Sequence, residues 1–185
     1  MCGACFFVSL QKNVQKKGQH MIRPSTPADF DVIMHLIDEG RQKMIAEGNI
    51  HQWANGHPRP EVIEDDIAHG HSYLLTSDSG TPLATFALMA GPDPTYARID
   101  GGRWLNDEPY YVIHRIASSP KAHGVMREVL RFAFTMTDNI RIDTHRDNQT
   151  MRRLLAHYGF TECGIIYLAN GDERLAFQLI NHHTL

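Results

Sequence analysis

A strand, a glycine turn, a helix, a second strand and a second helix follow one another from Tyr110 to Phe160. This run restricts the chain to folds built round a parallel strand pair. Tyr110-Tyr111-Val112-Ile113-His114-Arg115-Ile116-Ala117 is rich in β-branched and aromatic residues and stops at Ser118-Ser119-Pro120, where proline removes a ladder donor. Lys121-Ala122-His123-Gly124 leads into a helix predicted over Arg127 to Met136, with Met126, Val129, Leu130, Ala133 and Met136 on one face. Ile140 to Thr144 reads as the next strand. Asn148 then caps a helix whose apolar face is Met151, Leu154, Leu155 and Tyr158, closed by Gly159. Strand, helix and strand at this spacing imply a right-handed crossover. The first turn of a helix leaves N–H groups unpaired at the positive end of its dipole, so a glycine turn ahead of it gives phosphate oxygens a way in.

The strand, the basic residue before a glycine turn, the helix, and then Asn148, Met151, Leu154, Leu155 and Gly159-Phe160 are similar to the GNAT superfamily of acyl-CoA-dependent N-acyltransferases. That resemblance implies an α/β fold, a mixed and mostly antiparallel sheet with a splayed parallel pair in the middle, flanked by about four helices. It implies acetyl-CoA as cosubstrate, no metal, and direct attack by a primary amine in a ternary complex. The backbone of Ile116, Ala117 and Ser118 would pair with the pantetheine arm. Lys121, His123, Gly124, Val125, Met126 and Arg127 would surround the pyrophosphate, with Asn148 and Arg152 beside them. Arg146, Arg152 and Arg153 cluster where cofactor phosphates could be met, a solvated helix face being the alternative. Three positions depart from the family's pattern. Lys121 replaces Gln or Arg, Met126 stands as a partial obstruction where a small residue is usual, and Leu155 occupies the place of a tyrosine general acid.

Transfer of an acyl group to an amine has three needs. An amine with a pKa near ~10 must lose a proton, the thioester carbonyl must meet hydrogen-bond donors, and a thiolate of reference pKa about 8.5 must depart. His114 is the first candidate base, two residues before Ile116 and hence expected on the same side of the strand. His145 is the second. For each, a packing or loop role is the alternative. With Leu155 in place of the acid, Tyr167 could reach the cleft from the following strand, whereas Tyr158, beside the Gly159 cap, reads as core.

The remaining elements agree with one domain over residues 21–185. Ile22-Arg23-Pro24 is a short strand, Thr26 to Asp29 starts a helix with Phe30, Ile33, Ile37 and Met44 on one face, and the run Glu61 to Gly70, after a linker with Pro58 and Pro60, holds a short helix ended by glycine. Asp78-Ser79-Gly80 and Asn170-Gly171 mark hairpins, the latter through the positive backbone angles of a tight turn. Trp53, Trp104, the 91–94 loop and the 101–108 segment would build the acceptor pocket, the two rings lining it or filling the core. A small-molecule or peptide amine is expected there.

The 185 residues carry a formal charge of −3, which argues against a nucleic-acid partner, and no apolar run reaches the roughly 18 residues of a membrane span. A cytoplasmic protein without membrane contact is expected, and a homodimer stays open. Residues 1–20 read as a disordered or loosely docked extension, with Met21 as a conceivable start. The Cys2/Cys5 pair and the twelve histidines, His69/His71 and His182-His183 among them, lack ligand sets at established metal spacing. A catalytically silent acyl-CoA or small-ligand binder is the alternative function, and a metal or thiol-redox protein a distant third.

Overall fold

The computed structural model describes residues 20–181; all but the last residue of the expected extension, with Cys2 and Cys5, and the pair His182-His183 lie outside the described residues. Strand β1 (Met21–Pro24) turns at Thr26 into α1 (Phe30–Ala46). Asp29 fixes that start: its carboxylate accepts from the Thr26 N–H and hydroxyl at 2.8 Å each and from the Arg23 guanidinium at 2.7 and 2.9 Å. Helix α2 (Pro60–Ala68) precedes the hairpin of β2 (Ser72–Thr76) and β3 (Pro82–Ala90). Then come β4 (Tyr111–Ser118), α3 (Val125–Ala133), β5 (Asn139–Thr144), α4 (Gln149–His157), β6 (Thr161–Tyr167) and β7 (Glu173–Ile180).

The strands form one sheet in the order β1-β2-β3-β4-β5-β7-β6, and every neighbouring pair is antiparallel except β4 and β5. That parallel ladder holds only Tyr111 with Ile140 and Val112 with Arg141, and beyond Val112 the strands part. The expected mixed sheet with a splayed central pair and four helices is therefore the one observed. Helix α1 buries Ile33, Leu36, Ile37 and Gly40, an i, i+3, i+4, i+7 stripe, and with Ile63 of α2 it covers Leu74 and Ala117 on one face. Helices α3 and α4 cover the other face, packing Met126, Val129, Leu130, Ala133 and Leu155 on Phe86, Leu88, Ile113, Ile140, Ile142 and Phe177. None of the helices among the described residues is long and apolar enough to cross a membrane.

Three local expectations are corrected. Helix α3 begins two residues earlier than predicted and ends at Ala133, because Thr135 turns its hydroxyl back onto the Phe132 carbonyl at 2.7 Å and the chain tightens into 3-10-type bonds. Met136 consequently lies beyond the buried face, 38% exposed. The β6–β7 turn has a positive φ at Gly171 alone, with Gly171 N–H on the Leu168 carbonyl, so it is a longer turn with one left-handed glycine. Met126 is no obstruction: its side chain packs in the core at 2% exposure. Met126→Gly is thus expected to destabilise the fold by about 2–3 kcal/mol, near the low end for a lost buried methionine because it borders a channel that can relax. Chemical denaturation of the variant measures it.

Candidate active site

The decisive local feature is a bulge in β4. Thr85 pairs with Ala117 and Ala87 with His114, so Arg115 and Ile116 together oppose Phe86, and Arg115 takes a left-handed φ of 53°. The bulge breaks the alternation of side chains. His114 and Arg115 both project to the face of α1 and α2, where His114 meets Asp93 and Tyr96 and Arg115 meets Asp66. Ile113 and Ile116 pack on the other face with α3 and α4. His114 and Ile116 are therefore on opposite sides of the strand, contrary to the two-residue spacing, because the extra residue shifts the register by one.

Past Val112 the edge of β4 that faces β5 has lost its ladder partner, and the gap opens into two connected spaces. One is a channel of about 120 Å³ between the last turns of α1, the end of β4 and the starts of α3 and α4. Ile116, Ala117, Ser118, Val125, Met126 and Asn148 line it, as the sequence suggested, together with Lys43, which the sequence reading missed. At its outer end Gly124 caps α3 at φ 68°, and a Cβ there would meet only the Arg127 guanidinium, at 3.4 Å. The N–H groups of Val125, Met126 and Arg127 have no partner among the described residues, and the first bonded amide is Glu128, on the Gly124 carbonyl. Lys121, His123 and Arg127 are exposed around this turn. Free amides, an open glycine and three basic side chains fit a pyrophosphate.

The second space is a cleft of about 540 Å³ under the α1–α2 loop, the 93–95 segment and the β6–β7 hairpin. It shares Met44, Ile116, Asn148 and Met151 with the channel, so the two meet at the splay. On its wall His114 Nε2 lies 2.8 Å from Asp93 Oδ2, and Nδ1 lies 3.7 Å from Asp143 Oδ1. Burial alone would raise the Asp93 carboxyl, but bonds from His114 and from the Thr95 N–H and hydroxyl outweigh it and hold it at about 2. Asp143 also accepts from the Tyr96 hydroxyl at 2.8 Å; burial and then the Asp143 charge keep that phenol protonated. Neither aspartate nor Tyr96 belongs to a motif, and of the three only Asp93 falls in a segment expected at the acceptor pocket, the 91–94 loop.

Gln52 was silent in the sequence. Its Oε1 accepts from Asn49 Nδ2 at 3.0 Å, Thr144 Oγ1 at 3.2 Å, the His145 N–H at 3.3 Å and Asn148 Nδ2 at 2.9 Å. One carbonyl thus pins the α1–α2 loop over the junction of β5 and α4. Asn148, 6% exposed, completes its role as N-cap by accepting from the Met151 N–H at 2.9 Å.

The other candidates fall outside the junction. His145 borders a rim recess beside His51, its Nδ1 accepting the Asp147 N–H, and burial followed by the Arg174 charge lowers its pKa. Tyr167 donates to Asp100 at 3.0 Å under the Arg98 guanidinium and lines neither space. Arg152 bonds the Arg146 carbonyl and approaches Glu162, Arg146 pairs with Glu173, and Arg153 reaches Thr150; none of the three lines the channel. Leu155 is fully buried, and Tyr158 packs against the core beside His157. Trp53 fills the core against Gly40 while also edging the cleft; Trp104 packs on Tyr96 and bonds its carbonyl. His69 and His71 stack on each other at the end of α2.

A solved structure of a GNAT-family acetyltransferase from Streptococcus agalactiae 2603 is 33% identical to this chain, covering 87% of it and 95% of its own length at a TM-score of 0.78. The chain belongs to the GNAT family of acetyltransferases. Two GNAT-fold structures at lower identity share the architecture. The acetyltransferase from Listeria monocytogenes 4b F2365 is 20% identical, with 87% and 94% coverage and a TM-score of 0.63. The NatC complex bound to Gag peptide and CoA is 15% identical, with 88% and 98% coverage and a TM-score of 0.57. No family model and no curated protein matches the sequence. The GNAT resemblance read from the sequence is therefore borne out at the level of the family.

Proposed function

We propose that this GNAT protein acetylates a primary amine, taking the acetyl group from acetyl-CoA in a ternary complex. The observation that carries this reading is the meeting of the α3 channel with the acceptor cleft at Met44, Ile116, Asn148 and Met151. The NatC complex of the same fold holds CoA, which supports the same cosubstrate here. Acetyl-CoA, when bound, supplies an acetyl group activated as a thioester.

The chain's own residues meet the three chemical needs unequally. An ionised Asp93 takes the Nε2 proton of His114 as a hydrogen bond, so in the neutral imidazole Nδ1 is the nitrogen that accepts the amine's proton, with Asp143 close enough to stabilise the imidazolium. The unladdered edge of β4 offers backbone donors for an oxyanion. The four junction residues include no acid, and both amide groups of Asn148 are engaged, so the thiolate departs without a side-chain proton donor. That last feature, with Leu155 buried where the family carries a tyrosine, is what favours the second reading, a silent acyl-CoA binder.

Binding and turnover separate the readings. Gly124→Asp and Gly124→Asn both tolerate the left-handed backbone, yet only the first places an anion among the free amides. In calorimetry the Asp variant is expected to lose roughly ten- to a hundred-fold in CoA affinity relative to the Asn variant. Equal affinities would remove the phosphate site from α3. Acetylation of any amine in a panel supports the enzyme; CoA binding with no turnover across the panel supports the silent binder.

A further inference from the structure

Two arginines among the described residues are almost wholly buried, Arg141 at 4% exposure and Arg174 at 5%, and they are satisfied differently. The Arg141 guanidinium lies between the rings of Trp104 and Tyr110, 4.2 and 3.8 Å from their centroids, and donates to the Asn106 carbonyl at 2.7 Å. Two aromatic faces account for that cation without a counter-ion. Arg174, at the start of β7, has no such faces. It donates to the carbonyls of Glu173 at 2.8 Å and Gln52 at 3.4 Å, both neutral, and forms no ion pair with a carboxylate of the described residues. Burial lowers its pKa, and the charges of Asp143 and Asp172 offset this only from beyond contact distance. A buried charge with no carboxylate in contact is costly, and this one lines the acceptor cleft.

The surroundings give the cleft two poles. Arg115 is neutralised by Asp66, but Arg59, also on the wall, makes no ion pair among the described residues. Asp172 on the rim is exposed and bonded to Asn170, not to Arg174. Asp93, His114 and Asp143 line the same cleft. Asp143 is opposite Ala176 in the ladder, two residues along β7 from Arg174. Two residues of strand span roughly 7 Å. A short molecule with a cation at one end and an anion at the other fits that spacing.

We propose that the acceptor is a small amine that also carries a carboxylate or another oxyanion, seated on the Arg174 guanidinium with Arg59, while its amine faces His114 and Asp143. The planar fork of arginine matches such a group through two parallel bonds, and the Glu173 and Gln52 carbonyls hold the fork in place. The role of the amine rests on the acetyltransferase reading; the seat of the anion does not.

The test compares an ω-amino carboxylate, the aminophosphonate of equal length and the matching ω-amino carboxamide, by acetylation rate and by calorimetry on the CoA-bound protein. The expected kcat/KM is roughly tenfold or more higher for the acids than for the amide, chiefly through KM. Arg174→Gln is expected to erase that ratio and Arg174→Lys to keep part of it. The ratio between the two acids says which oxyanion the seat favours. Should Arg174→Gln fail to fold, wild type still decides, since an alkyl carboxylate lacking the amine should compete with the acceptor and its carboxamide should not. Equal kcat/KM for acid and amide in wild type, or equal competition, overturns the proposal and leaves acetyl transfer standing. Absence of turnover for every amine, with acids still binding through Arg174, overturns the acetyltransferase reading and retains the anion seat.

Discussion

His114→Ala is expected to lower acetylation of an aliphatic amine by about 10²- to 10⁴-fold, the usual contribution of a general base, while CoA affinity stays near that of wild type. The split follows from geometry. The channel is lined by backbone and side chains of β4, α1, α3 and α4 without the His114 side chain, which faces the cleft. The sharper control uses an acceptor that is already uncharged at assay pH, such as an aromatic amine or a hydrazide. It has no proton to lose before attack, so its rate should fall far less in the variant. A folded His114→Ala protein that loses rate equally on both acceptor types would mark the residue as a support of the cleft, not a base. Asp93→Asn should give a smaller loss with the same acceptor dependence, because it releases the His114 tautomer without removing the ring.

The parts of this molecule that could be read from the sequence are those fixed by local pattern. Asn148, Met151, Leu154, Leu155 and Gly159 repeat at helical spacing with a cap at each end, and the structure places them as α4 with Asn148 as its N-cap. Gly124 stood out because a glycine before an amphipathic helix has a geometric use, and it does adopt φ 68°. What escaped depends on contacts between segments distant in sequence. Gln52 gathers donors from Asn49, Thr144, His145 and Asn148, and nothing in its neighbours distinguishes it from a loop glutamine. Asp93 and Asp143 reach His114 from a loop and from another strand. The facing of His114 was misread for a related reason. A strand without glycine, asparagine or proline near its middle carries no mark of a bulge, and the alternation rule then counts one residue too few.

That bulge also sets the largest expected effect on stability. An arginine held at φ 53° is strained by about 1–3 kcal/mol and persists only where its surroundings over-determine it. Here the determinant is Asp66 on α2, 4% exposed, whose two oxygens take the Arg115 guanidinium at 2.6 and 2.7 Å. Asp66→Ala is expected to cost about 3–5 kcal/mol, because it leaves a largely buried cation unpaired, and denaturant titration should show it as a lower midpoint. The consequence extends beyond stability. Without its anchor, Arg115 can relax to an extended backbone, which removes the extra residue from the ladder and would turn His114 toward the α3 face. A double variant isolates this effect: Arg115→Gly in the Asp66→Ala background removes the unpaired charge and prefers the left-handed angle without help. It should recover much of the stability and, if the bulge rather than the ion pair aims His114, much of the acetylation rate as well. Recovered stability with no recovered rate would assign to the Arg115 side chain, which lines the cleft, a direct part in holding the acceptor.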